Sequence, residues 1–96
     1  MSERDIQRAS VKALRERGFI CHVNSDNRKA HGTKGTPDVI VAVGRGLWAG
    51  LEFKASKGKL SAEQSRLMGQ GNVHIVRSVA EALTAVAYSS RQLKED

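Results

Sequence analysis

The chain has 96 residues, of which 40% are hydrophobic and 27% charged, so it is long enough for one globular domain over residues 1–96 and too apolar for a disordered protein. No segment approaches the roughly 20 apolar residues of a membrane span, and no apolar signal region follows the first residues, which predicts a cytoplasmic protein with no membrane partner. The single cysteine excludes a disulfide framework and fits a reducing compartment, while the net charge of +6 favours a polyanionic partner, nucleic acid first.

The N-terminal third predicts a helix, a short strand and a long loop. Ser2 is a good N-cap, apolar residues recur at helical spacing, and Gly18 is a stop signal, so we expect a helix over 3–17. Residues 19–23 resemble a strand. Residues 24–35 are polar, basic and without apolar periodicity, which indicates a loop long enough to suggest a function.

The middle of the chain predicts a β-hairpin. The β-branched run 39–43 is typical of a strand buried on both faces, the glycines of 44–46 form a turn, and a second strand covers 47–54. A capping-box pattern then opens a helix from 61 to about 70, and residues 72–76 form a fourth strand.

A second capping box, Ser78 to Glu81, opens the last helix, and a polar tail follows at 91–96. The resulting order is α-β-β-β-α-β-α. Its β-α-β step predicts a parallel crossover, so the expected fold is α/β, a mixed four-stranded sheet flanked by helices.

Two acids and a lysine interrupt the apolar strands of the hairpin. Asp38 lies six residues before the turn and Glu52 six after it, so the hairpin register places their side chains next to each other. Lys54 shares a strand face with Glu52 because side chains two apart point the same way. Each fragment alone is typical of a turn or of a solvated salt bridge; the combination within the most apolar strands indicates a site.

Two neighbouring carboxylates repel each other unless a cation lies between them. Hard divalent ions prefer oxygen ligands, and they lower the pKa of a bound water and steady charge that develops on a phosphate. Lys54 could hold or deprotonate the attacking water, or stabilise that charge. The pattern at Asp38, Glu52 and Lys54 therefore predicts metal-assisted phosphodiester chemistry.

Basic residues in the loops flank this candidate site. Phosphate contacts are the functional interpretation and solvated loop charge the alternative. The candidate DNA-binding residues are Arg28, Lys29, Lys34, Lys57 and Lys59.

Two short motifs at the open end of the predicted hairpin together resemble the PD-(D/E)xK nuclease signature. The first is Gly35-Thr36-Pro37-Asp38, and the second, after thirteen intervening residues, is Glu52-Phe53-Lys54. The chain is more narrowly similar to the VRR-NUC (virus-type replication-repair nuclease) family, in its stand-alone phage and bacterial type. Glu3 corresponds to the family's first-helix glutamate and Gln64 to its later glutamine. Residues 75–78 match its late strand, although Ser78 departs from a second arginine. The likeness covers almost the whole chain and implies a restriction-endonuclease-like core.

The resemblance implies a DNA endonuclease that depends on Mg²⁺ or Mn²⁺. Asp38 and Glu52 would bind the metal together with the Phe53 carbonyl, and Glu3 would reach it through water. Lys54 would be the catalytic lysine, and Gln64 would orient a phosphate or a metal-bound water. Two alternatives stay open: Glu3 could only complement the helix dipole, and Gln64 could only close its capping box.

Stand-alone members of the family resemble Holliday-junction resolvases that act in DNA recombination and repair, and they tend to form homodimers. The resemblance therefore implies a homodimer that cuts four-way junctions. The alternatives are a restriction-type or flap nuclease, or a non-catalytic DNA-binding domain with the same fold. Against the last, a pure binder gains nothing from two acids on a surface that faces DNA.

Overall fold

The structure is a computed structural model, and it describes residues 2–24, 37–55, 62, 66 and 72–95. Its elements are α1 (Glu3–Glu16), β1 (Cys21–Val23), β2 (Val39–Gly44), β3 (Leu47–Phe53), β4 (Val73–Val76) and α2 (Val79–Glu95). The first residue of each element lies within about two residues of the start that the sequence predicted. The helix predicted over 61–70 lies outside the described residues, apart from residues 62 and 66, which are both helical.

Helix α1 begins at the predicted cap. The Ser2 hydroxyl accepts a hydrogen bond from the Asp5 backbone N–H at 3.1 Å, and the Asp5 carboxylate accepts one from the Ser2 backbone at 3.4 Å. These two bonds form a capping box, and they are the main reason why the pKa of Asp5 is lowered. The chain leaves the helix through Gly18, whose φ of 90° is in the left-handed region.

The four strands form one mixed sheet in the order β1-β2-β3-β4. The pairs β1–β2 and β2–β3 are antiparallel, whereas β3–β4 is parallel. This confirms the α/β class, the four-stranded mixed sheet and the parallel step that the sequence predicted between the third and fourth strands.

The two faces of the sheet differ in burial. One face, here called the inner face, carries most of the buried apolar side chains of the strands, and both α1 and α2 contact the sheet. The prediction that the run 39–43 is buried on both faces was wrong, because Ile40 and Ala42 on the outer face are only half-buried. The inner-face core of the sheet comprises Cys21, Val39, Val41, Val43, Ala49, Leu51, Phe53 and Val76.

Helix α2 begins after Ser78, whose hydroxyl accepts a hydrogen bond from the Glu81 N–H at 3.1 Å. The returning bond of the predicted capping box is displaced by one residue, because the Glu81 carboxylate accepts from the Arg77 N–H at 3.2 Å. The helix continues to Glu95, across most of the segment predicted as a polar tail. Neither helix, within the described ranges, is long and apolar enough to cross a lipid bilayer.

Candidate functional site

The candidate site lies at one end of the sheet. Strands β1, β3 and β4 finish there, and β2 starts there, because β2 alone runs in the opposite direction. We call it the carboxylate end and define it by Asp38, Glu52 and Lys54. The strand pairings thus bring together residues from opposite ends of two neighbouring strands.

Asp38 and Glu52 lie at the same level of the hairpin. Val39 pairs with Leu51, so the next residue outward on each strand is Asp38 on one and Glu52 on the other, as counting from the turn predicted. Asp38 is 6% exposed and Glu52 3% exposed. Two carboxylates in adjacent positions are therefore almost completely withdrawn from solvent, an arrangement that is costly for charged groups unless they are compensated.

The Asp38 carboxylate has a fixed orientation. Its Oδ2 accepts a hydrogen bond from the Phe53 backbone N–H at 2.9 Å, which ties it to the last residue of β3. The Asp38 carbonyl accepts a second bond, also 2.9 Å, from the backbone N–H of Asn24 beyond β1. The end of β3 and the residue that follows β1 therefore hold this aspartate from its two sides, and its side chain needs little reordering to bind a ligand.

Lys54 accompanies Glu52 on the same side of the chain. Its Nζ lies 3.9 Å from Glu52 Oε2, an ion pair close to the outer limit for direct contact. Its backbone N–H donates to the Val76 carbonyl at 3.1 Å, which extends the β3–β4 pairing by one residue. The half-buried side chain of Lys54 thus lies beside the two carboxylates.

A close approach between Pro37 and Gly50 fixes the start of β2. A Cβ atom built on Gly50 would lie 2.6 Å from Pro37 Cγ, so any larger residue would displace the proline ring. Gly50 therefore has a packing role within β3. It allows Pro37 to sit against β3 and so determines where Asp38 enters the sheet.

Two charged side chains hold the residue that follows Lys54. Glu3 Oε1 accepts a hydrogen bond from the Ala55 N–H at 3.2 Å, and the Arg77 guanidinium donates to the Ala55 carbonyl. Glu3 is exposed and lies at the carboxylate end, bonded to the backbone of Ala55. Arg77 belongs to the segment 75–78 that resembles the late strand of the VRR-NUC family, but the sequence did not predict its bond to Ala55.

The donor set suits a hard divalent cation that keeps part of its water shell. Within the described ranges no group of three or more His, Cys, Asp and Glu side chains could hold a metal. Mg²⁺, however, is commonly bound by one or two carboxylates, with waters and substrate phosphates completing its shell. Asp38 and Glu52 provide those carboxylates. The Phe53 carbonyl points to the same side of β3 as the N–H that bonds Asp38.

Several predicted site residues cannot be placed in this geometry. Gln64 lies outside the described residues, and so do the five predicted DNA-binding residues, Arg28, Lys29, Lys34, Lys57 and Lys59. The site described here therefore consists of Glu3, Asp38, Glu52, Phe53 and Lys54 with the neighbouring Arg77.

Other potentially reactive groups have structural environments. His74 Nε2 lies 3.0 Å from Asn72 Oδ1 and 3.1 Å from Ser89 Oγ, a contact that joins β4 to α2, and burial lowers the pKa of His74. Burial raises the pKa of the Cys21 thiol, while the charge of Arg15 lowers it by less. Cys21 is buried.

Comparisons of the chain with protein-family models, with curated proteins and with solved structures gave no match.

Proposed function

We propose that this protein is a divalent-metal-dependent DNA endonuclease with a restriction-endonuclease-like core, similar to the VRR-NUC family. The observation that carries the proposal is the burial of Asp38 and Glu52 at one level of a hairpin, with Lys54 3.9 Å from Glu52. The motif resemblance around the same three residues supports it independently of their burial.

The arrangement of the two acids fits a cation site. Asp38 and Glu52 occupy adjacent positions at one level of the hairpin, and two neighbouring carboxylates repel each other when both are ionised. A divalent cation between them would offset this repulsion, and hard divalent ions prefer carboxylate oxygens as ligands.

In the proposed reaction, water attacks a DNA phosphorus atom and the phosphodiester P–O bond breaks. Mg²⁺ or Mn²⁺ would be held by Asp38, Glu52 and the Phe53 carbonyl, and would supply a more acidic water and neutralise phosphate charge. The Phe53 N–H keeps the Asp38 carboxylate in position. Lys54 would donate hydrogen bonds to the phosphate or to the attacking water. Arg77 and Glu3 would maintain the backbone around Lys54.

The test compares Asp38→Asn, Glu52→Gln and Lys54→Met with Arg45→Gln, an exposed residue in the turn at the other end of the hairpin. Cleavage of plasmid, flap and four-way-junction DNA is measured with Mg²⁺, Mn²⁺ and EDTA. Each of the first three changes should lower the rate by roughly 10²–10⁴-fold, and Arg45→Gln should leave it within about twofold.

Cleavage that persists in EDTA would contradict the metal-dependent mechanism. Undiminished cleavage by one folded variant would remove that residue from the site. If the wild-type protein binds DNA but cleaves none of the substrates with either metal, the second candidate, a non-catalytic DNA-binding domain, would replace the nuclease. The lack of a third carboxylate, histidine or cysteine ligand within the described ranges is the observation that favours this candidate.

For the substrate we propose a four-way junction cut by a homodimer acting in the cytoplasm. A junction has two-fold symmetry and needs a cut in two opposing strands, and an isologous dimer presents two identical sites related by such an axis. Sedimentation at micromolar concentration measures the mass, and paired nicking of an immobile junction identifies the substrate. A monomer that cuts linear duplex as fast as a junction would contradict this assignment while leaving the endonuclease proposal intact.

A further inference from the structure

A second charged feature lies away from Asp38 and Glu52, in a groove between α1 and the edge strand β1. The groove has a volume of about 550 Å³. Arg8, Lys12 and Arg15 line it along α1, together with one acid, Glu16, and Val23 lies on the β1 side. We call it the α1–β1 groove.

The three basic residues form one stripe. Their spacing of four and then three residues places them on the same side of a helix. Like charges at this spacing destabilise a helix, and two acids offset part of the repulsion: Asp5 lies one turn from Arg8 and interacts with it, and Glu16 lies one turn from Lys12. A polyanion in the groove would turn this internal repulsion into attraction.

One wall of the groove is held in place by Arg15. Its Nη2 donates a hydrogen bond to the Cys21 carbonyl at 3.1 Å, which joins the end of α1 to the start of β1. The bonds from Ala42 N–H to the Ile20 carbonyl and from Asn24 N–H to the Asp38 carbonyl fix the alternation of β1. The backbone N–H and C=O of Val23 consequently point away from β2, toward the outer edge of the sheet.

The α1–β1 groove approaches the carboxylate end at its Val23 side. The next residue, Asn24, is bonded directly to Asp38. The first residue of α1 also lies at that end, where Glu3 accepts from the Ala55 N–H. A chain of phosphates in the groove would therefore lead toward the carboxylate end of the sheet.

We propose that the α1–β1 groove binds the sugar–phosphate backbone of double-stranded DNA and directs it toward the carboxylate end. The direction toward a reaction centre rests on the proposed endonuclease function, whereas the DNA binding does not. The occupant follows from charge complementarity, because three cations against one acid line a concave surface. Of the two valines in the lining, Val11 is buried and Val23 is 37% exposed, and one such side chain is too small an apolar surface for insertion into a lipid layer.

The experiment uses the full chain in EDTA, so that binding is measured without cleavage. Arg8→Gln/Lys12→Gln is compared with Arg17→Gln/Arg45→Gln, which removes the same net charge from exposed positions outside the lining of the groove. Affinity for a 20-base-pair duplex is titrated from about 0.05 to 0.3 M salt, and circular dichroism confirms that each variant is folded. A parallel titration uses vesicles of phosphatidylserine and phosphatidylcholine.

The groove variant should bind on the order of 50-fold more weakly at 0.1 M salt, and its slope of log K against log salt should fall by about two, one per lost phosphate contact. The control should keep the wild-type slope. An equal loss of DNA affinity in both variants would mean that only net charge matters. An unchanged affinity of the groove variant would mean that DNA binds elsewhere. Either result overturns the proposal. Loss of vesicle binding with retained DNA binding would assign the groove to lipid headgroups and overturn it as well. This experiment measures binding and no cleavage. A protein that binds DNA through the groove but cleaves no DNA would therefore contradict the endonuclease proposal and leave the groove proposal intact.

Discussion

The two ends of the β2–β3 hairpin show opposite relations between polarity and burial. At the turn end, Leu47 and Trp48 are 50% and 48% exposed, although both are apolar. At the open end, Asp38 and Glu52 are charged and almost completely buried. The same pair of strands thus carries apolar side chains into solvent at one end and carboxylates into the interior at the other.

The exposed apolar residues and the buried carboxylates need different explanations. Exposed apolar residues are common on folded proteins because there is too little polar surface to cover them, so Leu47 and Trp48 need no functional explanation. Buried carboxylates are rare, and each costs free energy that must be compensated. The two buried carboxylates at the open end of the hairpin are therefore the feature that calls for a functional explanation.

The largest difference in stability between the two ends is expected when a leucine of each is shortened to alanine. Leu51→Ala, at a completely buried position of the inner face, should lower the free energy of unfolding by about 2–5 kcal/mol. Leu47→Ala should change it by no more than about 0.5 kcal/mol. Urea denaturation followed by circular dichroism measures both. Similar losses for the two variants would mean that the turn end is buried in solution.

Metal binding should stabilise the open end in a way that depends on Glu52. Mn²⁺ at about 100 times its dissociation constant should raise the free energy of unfolding of the wild type by about 2.7 kcal/mol, because the metal binds only the folded site. Glu52→Gln should lose this gain. In EDTA the same variant loses both the repulsion from Asp38 and the ion pair with Lys54, so its free energy of unfolding should stay within about 1 kcal/mol of the wild type.

Thermal melting with and without Mn²⁺ measures both effects. An equal gain in the wild type and in Glu52→Gln would place the metal elsewhere in the chain. A large loss of stability of Glu52→Gln in EDTA would show that the fold itself requires this carboxylate, which would contradict a purely functional role for it.

Two glycines of the hairpin provide a matched pair. Gly50→Ala should cost about 1–3 kcal/mol, because its Cβ would lie 2.6 Å from Pro37 Cγ. Gly46→Ala in the turn should cost about 1–2 kcal/mol through backbone strain alone, since Gly46 has a φ of 75° and no atom within 4 Å of the added Cβ. Only Gly50→Ala should also weaken the Mn²⁺ gain, because it moves the segment that carries Asp38. Calorimetric titration of both variants with Mn²⁺ tests this difference.

The smallest expected effect concerns His74, beside Leu51 in the parallel pair. Burial lowers its folded-state pKa below the ordinary value of 6.5, so the unfolded chain binds the proton first. His74 therefore opposes folding as the pH falls below about 6.5, and its contribution is constant above that value. The fall in melting temperature between pH 7.5 and 5.5 should be smaller in His74→Gln than in the wild type. An unchanged pH dependence would contradict this assignment.

Much of this fold could be predicted because its signals are local. The cap at Ser2 and the stop at Gly18 located α1, and the run after Pro37 located β2. Counting outward from the turn even placed Asp38 beside Glu52, since an antiparallel hairpin has a register fixed by its turn. Sequence reasoning failed where burial depended on the other elements: the run 39–43 gave no sign that its outer face is only half-buried.

The sequence by itself determined the class of the fold, the hairpin and the identity of the acids and lysine at its open end. Only the tertiary structure revealed the contact of Pro37 with Gly50, the bonds from Glu3 and Arg77 to Ala55, and the α1–β1 groove. These features join residues that are distant along the chain, up to 52 positions apart for Glu3 and Ala55. Helical and strand periodicities describe which side of an element is apolar, whereas the docking of one element on another depends on side-chain packing across the whole domain.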